Sequence, residues 1–327
     1  MPVMSYIQAV TTALKEEMQR DENVFVLGED VGKKGGVFGA TKGLYDEFGD
    51  ARVLDTPLAE SAIAGVGIGA AMYGMRPVAE MQFADFIMPA VNQIISEAAK
   101  IRYRSNNDWN VPMTIRAPYG GGVHGALYHS QSVEAVFANQ PGLKIVMPST
   151  PYDVKGLLKA SIRDNDPVLF FEHKRAYRLL KGEVPEDDYV LPIGKADVKR
   201  DGSDVTIITY GLAVHFALQA AEKLADEGID AHILDLRTIY PLDKEGIIEA
   251  AKKTGKVLLI TEDNKEGSII GEVAAIIAEN CLFDLDAPVQ RLAGPDVPSM
   301  PYSPKMEKYF MINPDKVEKA IRELAEF

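Results

Sequence analysis

The sequence contains a single cysteine, Cys281, among its 327 residues. One thiol excludes a disulfide within the chain and a zinc site built from cysteines. No apolar run reaches the roughly 18 residues that a membrane span needs, and the first residues fit neither a signal peptide nor an Arg-rich transit peptide. We therefore expect a protein of the reducing cytoplasm that has no membrane segment.

Basic residues are fewer than acidic ones, 35 against 48, and the net charge is −13. This charge disfavours a general surface for nucleic acid and suits a basic protein partner or simple solubility. The 46% hydrophobic and 25% charged residues are typical of a globular protein. The length fits about two domains.

Short apolar runs alternate with helical spacing both before and after a polar stretch at 172–203. Such alternation predicts parallel-rich sheets flanked by helices. We predict an α/β protein with two domains, residues 1–190 and 204–327, and a linker at 191–203, a polar region that would also suit docking. One of the predicted helices covers residues 90–104.

The most informative stretch is 55–74, which places Glu60 near the start of an apolar, glycine-containing helix. Thr56 is expected to cap this helix and Pro57 to occupy its first position. Its three central glycines each cost about 1 kcal/mol relative to alanine, so we expect something to pack close to the backbone. Glu60 either favours the positive end of the helix dipole or, as a carboxyl group in apolar surroundings, exchanges a proton.

Two loops also attract attention. The glycine-rich loop at 28–36 follows a predicted strand, but its acidic residues would repel phosphate, so it is either an active-site or interface loop or a plain connection. The loop at 117–132 holds two of the five histidines, His124 and His129, beside three successive glycines. Each histidine is either a functional group that titrates near neutrality or a structural one bonded to backbone.

Six motifs occur along the chain: Leu27-Gly-Glu-Asp-Val-Gly, Asp55-Thr-Pro-Leu-Ala-Glu-Ser, Ala79-Glu-Met-Gln-Phe-Ala-Asp-Phe, His124-Gly-Ala-Leu-Tyr-His-Ser-Gln, Gln140-Pro-Gly-Leu-Lys and Asp235-Leu-Arg-Thr. In this order they resemble the β subunits of thiamine-diphosphate-dependent 2-oxo acid dehydrogenases. The resemblance covers essentially the whole chain, and the histidine motif is most similar to the branched-chain members.

The resemblance implies a pyrimidine-binding domain of the transketolase type followed by a transketolase C-terminal-like domain. It also implies a heterotetramer of two α and two β subunits with thiamine diphosphate at the α/β interface. In this family the α subunit carries a Gly-Asp-Gly motif that holds the diphosphate with magnesium. The present chain has no such motif, which agrees with a β subunit that shares the cofactor.

Glu60 matches the catalytic glutamate of the family, whose carboxyl group bonds a ring nitrogen of the aminopyrimidine and so favours the imino tautomer that forms the ylide. The ylide attacks the 2-oxo group of the substrate, and the cofactor accepts the electrons left by carbon dioxide. His129 matches an active-site histidine near the substrate and the lipoyl group. Other matching positions are Leu58, Gln82 and Phe86 around the cofactor, and Tyr119 with His129 at the acyl pocket.

A potassium site of the branched-chain enzymes matches Val111, Met113, Thr114, Ser161, Asp164 and Asp166. The family's C-terminal domain binds the basic subunit-binding domain of the dihydrolipoyl acyltransferase, whose lipoyl domain receives the acyl group. The acids of the second domain here, Glu262 and Asp263 among them, agree with such a partner. Two alternatives stay open: a pyruvate or acetoin dehydrogenase β subunit, and a non-catalytic subunit for assembly and docking.

Overall fold

The computed structural model describes all 327 residues, which divide into two compact units. Unit 1 comprises Met1–Tyr119 and Val136–Ile193, and unit 2 comprises Gly120–Ala135 and Gly194–Phe327. The segment 120–135 therefore belongs to unit 2 although the chain on both sides of it belongs to unit 1. None of the helices combines the length and the apolar character that crossing a bilayer requires.

The secondary structure alternates along the chain. The α-helices are α1 (Tyr6–Arg20), α2 (Leu44–Phe48), α3 (Glu60–Met72), α4 (Ile101–Arg104), α5 (Glu134–Ala138), α6 (Pro151–Arg163), α7 (Ala176–Leu179), α8 (Ala213–Ala225), α9 (Lys244–Thr254), α10 (Ile269–Cys281), α11 (Pro304–Phe310) and α12 (Pro314–Ala325). The strands are β1 (Val3–Ser5), β2 (Val24–Gly28), β3 (Val53–Asp55), β4 (Arg76–Glu80), β5 (Thr114–Tyr119), β6 (Lys144–Val146), β7 (Val168–His173), β8 (Lys181–Glu183), β9 (Asp197–Arg200), β10 (Val205–Thr209), β11 (Ala231–Asp235), β12 (Thr238–Tyr240), β13 (Val257–Asn264) and β14 (Gln290–Gly294). Short 3-10 helices cover Ala84–Ala90, Ala126–Tyr128 and Leu282–Asp284, and a π-helix covers Gln93–Ala98.

Each unit is built on a sheet that is mainly parallel. In unit 1 the strands follow the order β6-β7-β5-β4-β2-β3, and every neighbouring pair is parallel. In unit 2 the order is β14-β13-β10-β11-β9, and only β9 is antiparallel. The inner strands are runs of buried apolar residues, as expected for parallel strands covered on both faces. The predicted α/β fold class is confirmed.

Local sequence signals explain two helices that pack together in unit 1. Ser5 and Gln8 form a capping box at the start of α1, since Ser5 Oγ accepts from the Gln8 N–H at 3.4 Å and Gln8 Oε1 accepts from the Ser5 N–H at 2.8 Å. Thr150 caps α6, and Pro151 occupies its first turn. Both helices bury one apolar stripe in the same core.

A buried ion cluster crosses the centre of the unit 1 sheet. Arg116 on β5 donates from Nε and Nη2 to the two carboxylate oxygens of Glu172 at 2.6 and 2.7 Å, and from Nη1 to Glu80 Oε2 at 2.6 Å. All three side chains are buried. One guanidinium thus serves two carboxyl groups, and burial raises the pKa of Glu80. Removing Arg116 would leave both carboxyl groups in the interior without a cationic partner.

The helix that carries Glu60 begins later than predicted. Thr56 does not cap it, because the Thr56 N–H donates to the Gly28 carbonyl at 2.9 Å and continues the pairing of β3 with β2. Ala59 is the N-cap residue and offers no side-chain bond, while Thr56 Oγ1 is buried without a hydrogen bond. The prediction of Pro57 at the first helical position was also wrong, because Glu60 itself begins α3.

The glycines of α3 are not all closely packed. A Cβ on Gly67 would lie 2.4 Å from Met113 Cε, but Cβ atoms on Gly65 and Gly69 would meet nothing within 4 Å. Within this chain, close packing against the helix backbone therefore occurs at Gly67, and the other two glycines lie on an open face.

The helix predicted over 90–104 is interrupted. Pro89 lies in the 3-10 helix that precedes it, and the Ala99 N–H donates to the Ile94 carbonyl five residues back at 3.0 Å, as in a π-helix. Gly142 is packed against the same place, since its Cβ would lie 1.9 Å from the Ala99 carbonyl oxygen. Regular α-helix resumes only at α4.

The polar stretch at 172–203 contains two edge strands. Strand β8 pairs antiparallel with β1, and β9, which lies inside the predicted linker at 191–203, pairs antiparallel with β11. Edge strands are often polar and charged, so their composition resembles that of a loop. Lys174, at the start of the stretch, is buried with Asp85, and their charged atoms are 3.8 Å apart.

Candidate active site

Glu60 is the first residue of α3 and is only 8% exposed. It follows β3 by five residues, so its carboxyl group lies beyond the carboxyl end of a parallel strand, where open α/β sheets carry their sites. The unpaired N–H groups at the start of a helix favour a carboxylate there. The structure therefore holds one buried acid at the position where the sequence predicts the catalytic one.

The loop at 28–36 adds further acids beside Glu60. The pKa of Glu29 is raised, first by burial and then by the charges of Glu60 and Asp30. Asp30 Oδ2 accepts from Lys34 Nζ at 2.7 Å and from Gln82 Nε2 at 3.4 Å. The same loop thus links two of the predicted cofactor-binding residues, and its carboxylates would repel an anion.

The other two residues predicted around the cofactor differ in their surroundings. Phe86 is half-buried and meets Phe83 edge to face, with ring centres 5.5 Å apart. Phe83 in turn contacts Phe38 at 5.3 Å. Leu58 is 79% exposed and precedes the open face of α3, so its side chain is free to contact a partner molecule.

Tyr119, predicted to lie at the acyl pocket, is packed inside unit 1. Its side chain is 2% exposed and meets the His173 ring edge to face with ring centres 5.0 Å apart. Its carbonyl accepts from the Lys174 N–H at 3.0 Å. Tyr119 is the last residue of the first segment of unit 1, and the predicted pocket partner His129 lies in unit 2.

The loop that carries His129 is held by two acids of unit 2. Glu262 Oε1 accepts from the Gly121 N–H at 2.6 Å. Glu307 Oε1 accepts from the N–H groups of Gly122 and His124 at 3.1 and 3.2 Å, and its Oε2 lies 2.5 Å from His124 Nδ1. His124 is therefore a structural member of the loop, tied to Glu307, whereas His129 is half-buried farther along.

This loop has an unfavourable backbone. His124 and Ala126 have φ values of 57° and 52°, and Gly122 has a φ of 80°. The left-handed region costs a non-glycine residue about 1–2 kcal/mol, so the loop depends on contacts with the rest of unit 2. Outlying backbone conformations of this kind cluster at functional sites.

A buried group of acids in unit 2 was not predicted as a site. Glu134 Oε1 accepts from the Tyr210 hydroxyl at 2.8 Å, while Oε2 makes no hydrogen bond. Burial, followed by the charge of Asp263, raises the pKa of Glu134 to about 8. Burial and the charge of Glu262 raise the pKa of Asp263 to about 6. The raised pKa favours a protonated Glu134 at neutral pH.

Glu262 and Asp263 are therefore more than scattered surface acids. They line a cavity of unit 2 together with residues of the His129 loop, namely Ser130, Gln131 and Ser132. Their place near the end of β13 is a sequence signal that could have found them, because the carboxyl ends of parallel strands carry sites.

The residues predicted to bind potassium lie at one edge of unit 1. The Met113 carbonyl accepts from the Val168 N–H at 2.9 Å, which joins the start of β5 to the segment after α6. Lys144 Nζ donates to both carboxylate oxygens of Asp164, at 2.8 and 2.6 Å, and Arg102 pairs with Asp166.

Both carboxylates of this edge already have cationic partners, so a potassium ion would need carbonyl and hydroxyl oxygens. Thr114 Oγ1 is such an oxygen, since it is buried and makes no hydrogen bond. The carbonyl of Ser161 accepts from the Asp164 N–H at 3.2 Å, and the carbonyl of Val111 accepts from the Met113 N–H at 2.8 Å. Potassium binding stays a prediction.

Comparison with known proteins agrees with this arrangement. The family model "Transketolase, pyrimidine binding domain" matches residues 3–179, and "Transketolase, C-terminal domain" matches residues 194–317. The 2-oxoisovalerate dehydrogenase subunit beta of Bacillus subtilis (strain 168) is 82% identical over 327 residues, the full length of both chains. The chain belongs to the family of 2-oxo acid dehydrogenase β subunits.

Two other β subunits of the same Bacillus subtilis strain are less similar to this chain. The pyruvate dehydrogenase E1 component subunit beta of Bacillus subtilis (strain 168) is 49% identical over 100% of both chains. The beta subunit of its acetoin:2,6-dichlorophenolindophenol oxidoreductase is 45% identical over 98% of this chain and 97% of the other. A solved chain described as "Split gene transketolase, inactive beta4 tetramer" has a TM-score of 0.79 at 24% identity, covering 99% of this chain and 98% of that one. This structure shows the shared fold. The resemblance seen in the motifs is confirmed by the two family models and by the 82% identical relative.

Proposed function

We propose that the chain is the β subunit of a branched-chain 2-oxo acid dehydrogenase, active only together with an α subunit. The complex would decarboxylate branched-chain 2-oxo acids oxidatively and transfer the acyl group to lipoyl-lysine. The substrate class is supported by the 82% identity to a 2-oxoisovalerate dehydrogenase β subunit, against 49% and 45% for the pyruvate and acetoin relatives. The chemistry depends on one observation, the buried carboxyl group of Glu60 at the start of α3.

The site suits one end of thiamine diphosphate, the aminopyrimidine ring. Glu60 offers a buried hydrogen-bonding acid for a heterocycle, and Phe86 offers a half-buried ring. The neighbouring carboxylates of Glu29 and Asp30 would repel the diphosphate. The residues present therefore suit the aminopyrimidine, and we assign the diphosphate and its magnesium mainly to the α subunit of a tetramer of two α and two β chains.

When bound, thiamine diphosphate supplies a carbon nucleophile and an electron sink. Glu60 would hold a ring nitrogen of the aminopyrimidine by a hydrogen bond and exchange a proton with it, in a buried position. Gln82 orients the acidic loop through Asp30. His129 stabilises charge on the substrate and moves a proton when the acyl group passes to the lipoyl group.

The remaining partners follow from the charge of the chain and from the family. The acidic net charge of −13 suits a basic subunit-binding domain of a dihydrolipoyl acyltransferase. We further propose that the enzyme works in the cytoplasm and that potassium binds through carbonyl oxygens beside Thr114.

The decisive experiment replaces Glu60 by glutamine in a tetramer reconstituted with the α partner. We expect decarboxylation of 3-methyl-2-oxobutanoate to fall about 10²–10⁴-fold, while the tetramer mass, measured by light scattering, stays the same. Glu22→Gln, on the surface of unit 1, serves as the matched control and should keep full activity. Normal turnover by Glu60→Gln would instead favour a non-catalytic assembly subunit.

The substrate is tested separately with the wild-type tetramer. We expect a higher kcat/KM for 3-methyl-2-oxobutanoate than for pyruvate. A strong preference for pyruvate would overturn the branched-chain assignment but leave the role of Glu60 intact.

A further inference from the structure

Glu307 makes an unusual set of bonds to the His129 loop. Its side chain is 4% exposed, yet its carboxylate accepts from two backbone N–H groups, those of Gly122 and His124, and also meets the His124 imidazole. Three groups of two residues, Gly122 and His124, thus converge on one buried carboxylate. Charge-assisted bonds of this kind are shorter and stronger than neutral ones.

Apolar residues on both sides of Glu307 in the sequence also contact this loop. We call Glu307 and its bonds to Gly122 and His124 the clamp. A Cβ on Gly121 would lie 2.5 Å from Met300 Cε and 3.5 Å from Met311 Sδ. The loop backbone at Gly121 is therefore packed closely against the side chains of Met300 and Met311. A small buried core lies next to Glu307 in the sequence and consists of Met300, Phe310 and Met311. The residues that flank Glu307 are therefore well packed.

The clamp reaches His129 through the backbone. A Cβ on Gly125 would lie 2.7 Å from both His129 Cβ and the His129 carbonyl oxygen, so the residue after His124 is in close contact with His129. The base of the loop is closed by the Gly120 N–H, which donates to the Gln131 carbonyl at 3.0 Å. A shift of His124 would consequently move His129.

We propose that Glu307 is a positioning residue that holds the loop at 120–132 and thereby sets the place of His129. The inference rests on the proposed function, in which His129 serves the transfer of the acyl group. Glu307 itself need not touch the substrate. Its effect passes through Gly122, His124 and Gly125.

The test compares Glu307→Ala and Glu307→Gln in the reconstituted tetramer, with Glu323→Ala on an exposed part of α12 as the control. Two measurements are made: hydrogen exchange of the peptide covering 120–132, and the rate of lipoyl-domain acylation beside the rate of decarboxylation. We expect Glu307→Ala to exchange faster in this peptide and to lose about 10–100-fold in acylation, because misplacement by 1 Å can cost 10²-fold. Decarboxylation should fall less.

A rescue variant and a double variant distinguish a positioning role of Glu307 from a general loss of structure. Glu307→Gln keeps an oxygen for the two N–H groups and should recover acylation to within a few-fold of the wild type. In the double variant Glu307→Ala/His129→Ala, acylation should be no slower than in His129→Ala alone. Unchanged exchange in Glu307→Ala, or fully additive losses in the double variant, would overturn the proposal.

Failure of the proposed function has a different signature. If His129→Ala acylates the lipoyl domain normally, the assigned role of His129 is wrong. The exchange measurement then decides alone whether Glu307 holds the loop.

Discussion

Replacing Glu134 by glutamine should make the protein more stable at alkaline pH. Glutamine has the same shape and keeps an oxygen for the Tyr210 hydroxyl, which lies 2.8 Å from the acid. Unlike the carboxyl group of Glu134, however, the glutamine amide does not ionise as the pH rises. The wild-type acid is buried near Asp263 and Glu262, and its pKa is raised to about 8 by burial and by their charges.

The sign and size of the effect follow from this pKa. In the unfolded chain the acid loses its proton near its ordinary pKa of 4.5, whereas in the folded protein it keeps the proton until about pH 8. Between these values the folded state binds more protons, so the free energy of unfolding falls as pH rises. One pKa unit corresponds to about 1.4 kcal/mol, so the loss relative to Glu134→Gln should reach on the order of 5 kcal/mol above pH 8.

Urea titrations of both proteins at several pH values between 4 and 9 measure this difference. We expect the two free energies of unfolding to converge near pH 4 and to separate steadily above it, with the variant the more stable. Glu323→Gln, at an exposed position on α12, should follow the wild type. Parallel curves for the wild type and Glu134→Gln would refute a protonated, buried Glu134.

Three further substitutions test the packing of unit 1. Arg116→Met should lower the free energy of unfolding by about 3–5 kcal/mol, because Glu80 and Glu172 would be left as unpaired buried charges; a loss below about 1 kcal/mol in urea titration would contradict this. Gly142→Ala should yield little folded protein in circular dichroism and expression assays, since at φ +102° its Cβ would lie 1.9 Å from a carbonyl oxygen. Gly43→Ala, at φ +85° with open space around it, should cost only about 1–2 kcal/mol, and an equal loss at both glycines would count against the steric argument.

Much of the fold could be predicted because its signals are local. The start of helix α6 is marked by neighbouring residues, because Thr150 caps it and Pro151 occupies its first turn. Helix α3 does not, because the competing bond of Thr56 goes to Gly28, on another strand. The strands β8 and β9 were missed for a related reason, since a polar edge strand is recognised only by its partner.

The residues of the candidate site also differ in whether a local sequence signal marks them. Glu60 and Gln82 could be found because each follows a strand and belongs to a motif. Glu307 could not, because it is 185 positions from Gly122 and lies outside the six motifs. The burial of Glu134 likewise depends on Tyr210, 76 positions away. Residues that support a site from distant parts of the chain leave little trace in sequence patterns.

The late position of Glu307 also has a consequence during synthesis. A ribosome that adds about 5–20 residues per second needs roughly 10–40 s to pass from Gly122 to Glu307, which are 185 positions apart. Until then the nascent chain already contains Glu60 and His129 but lacks the carboxylate that fixes the histidine loop. A translation product that stops short of residue 307 would carry Glu60 and His129 but lack the carboxylate that accepts from the backbone of Gly122 and His124.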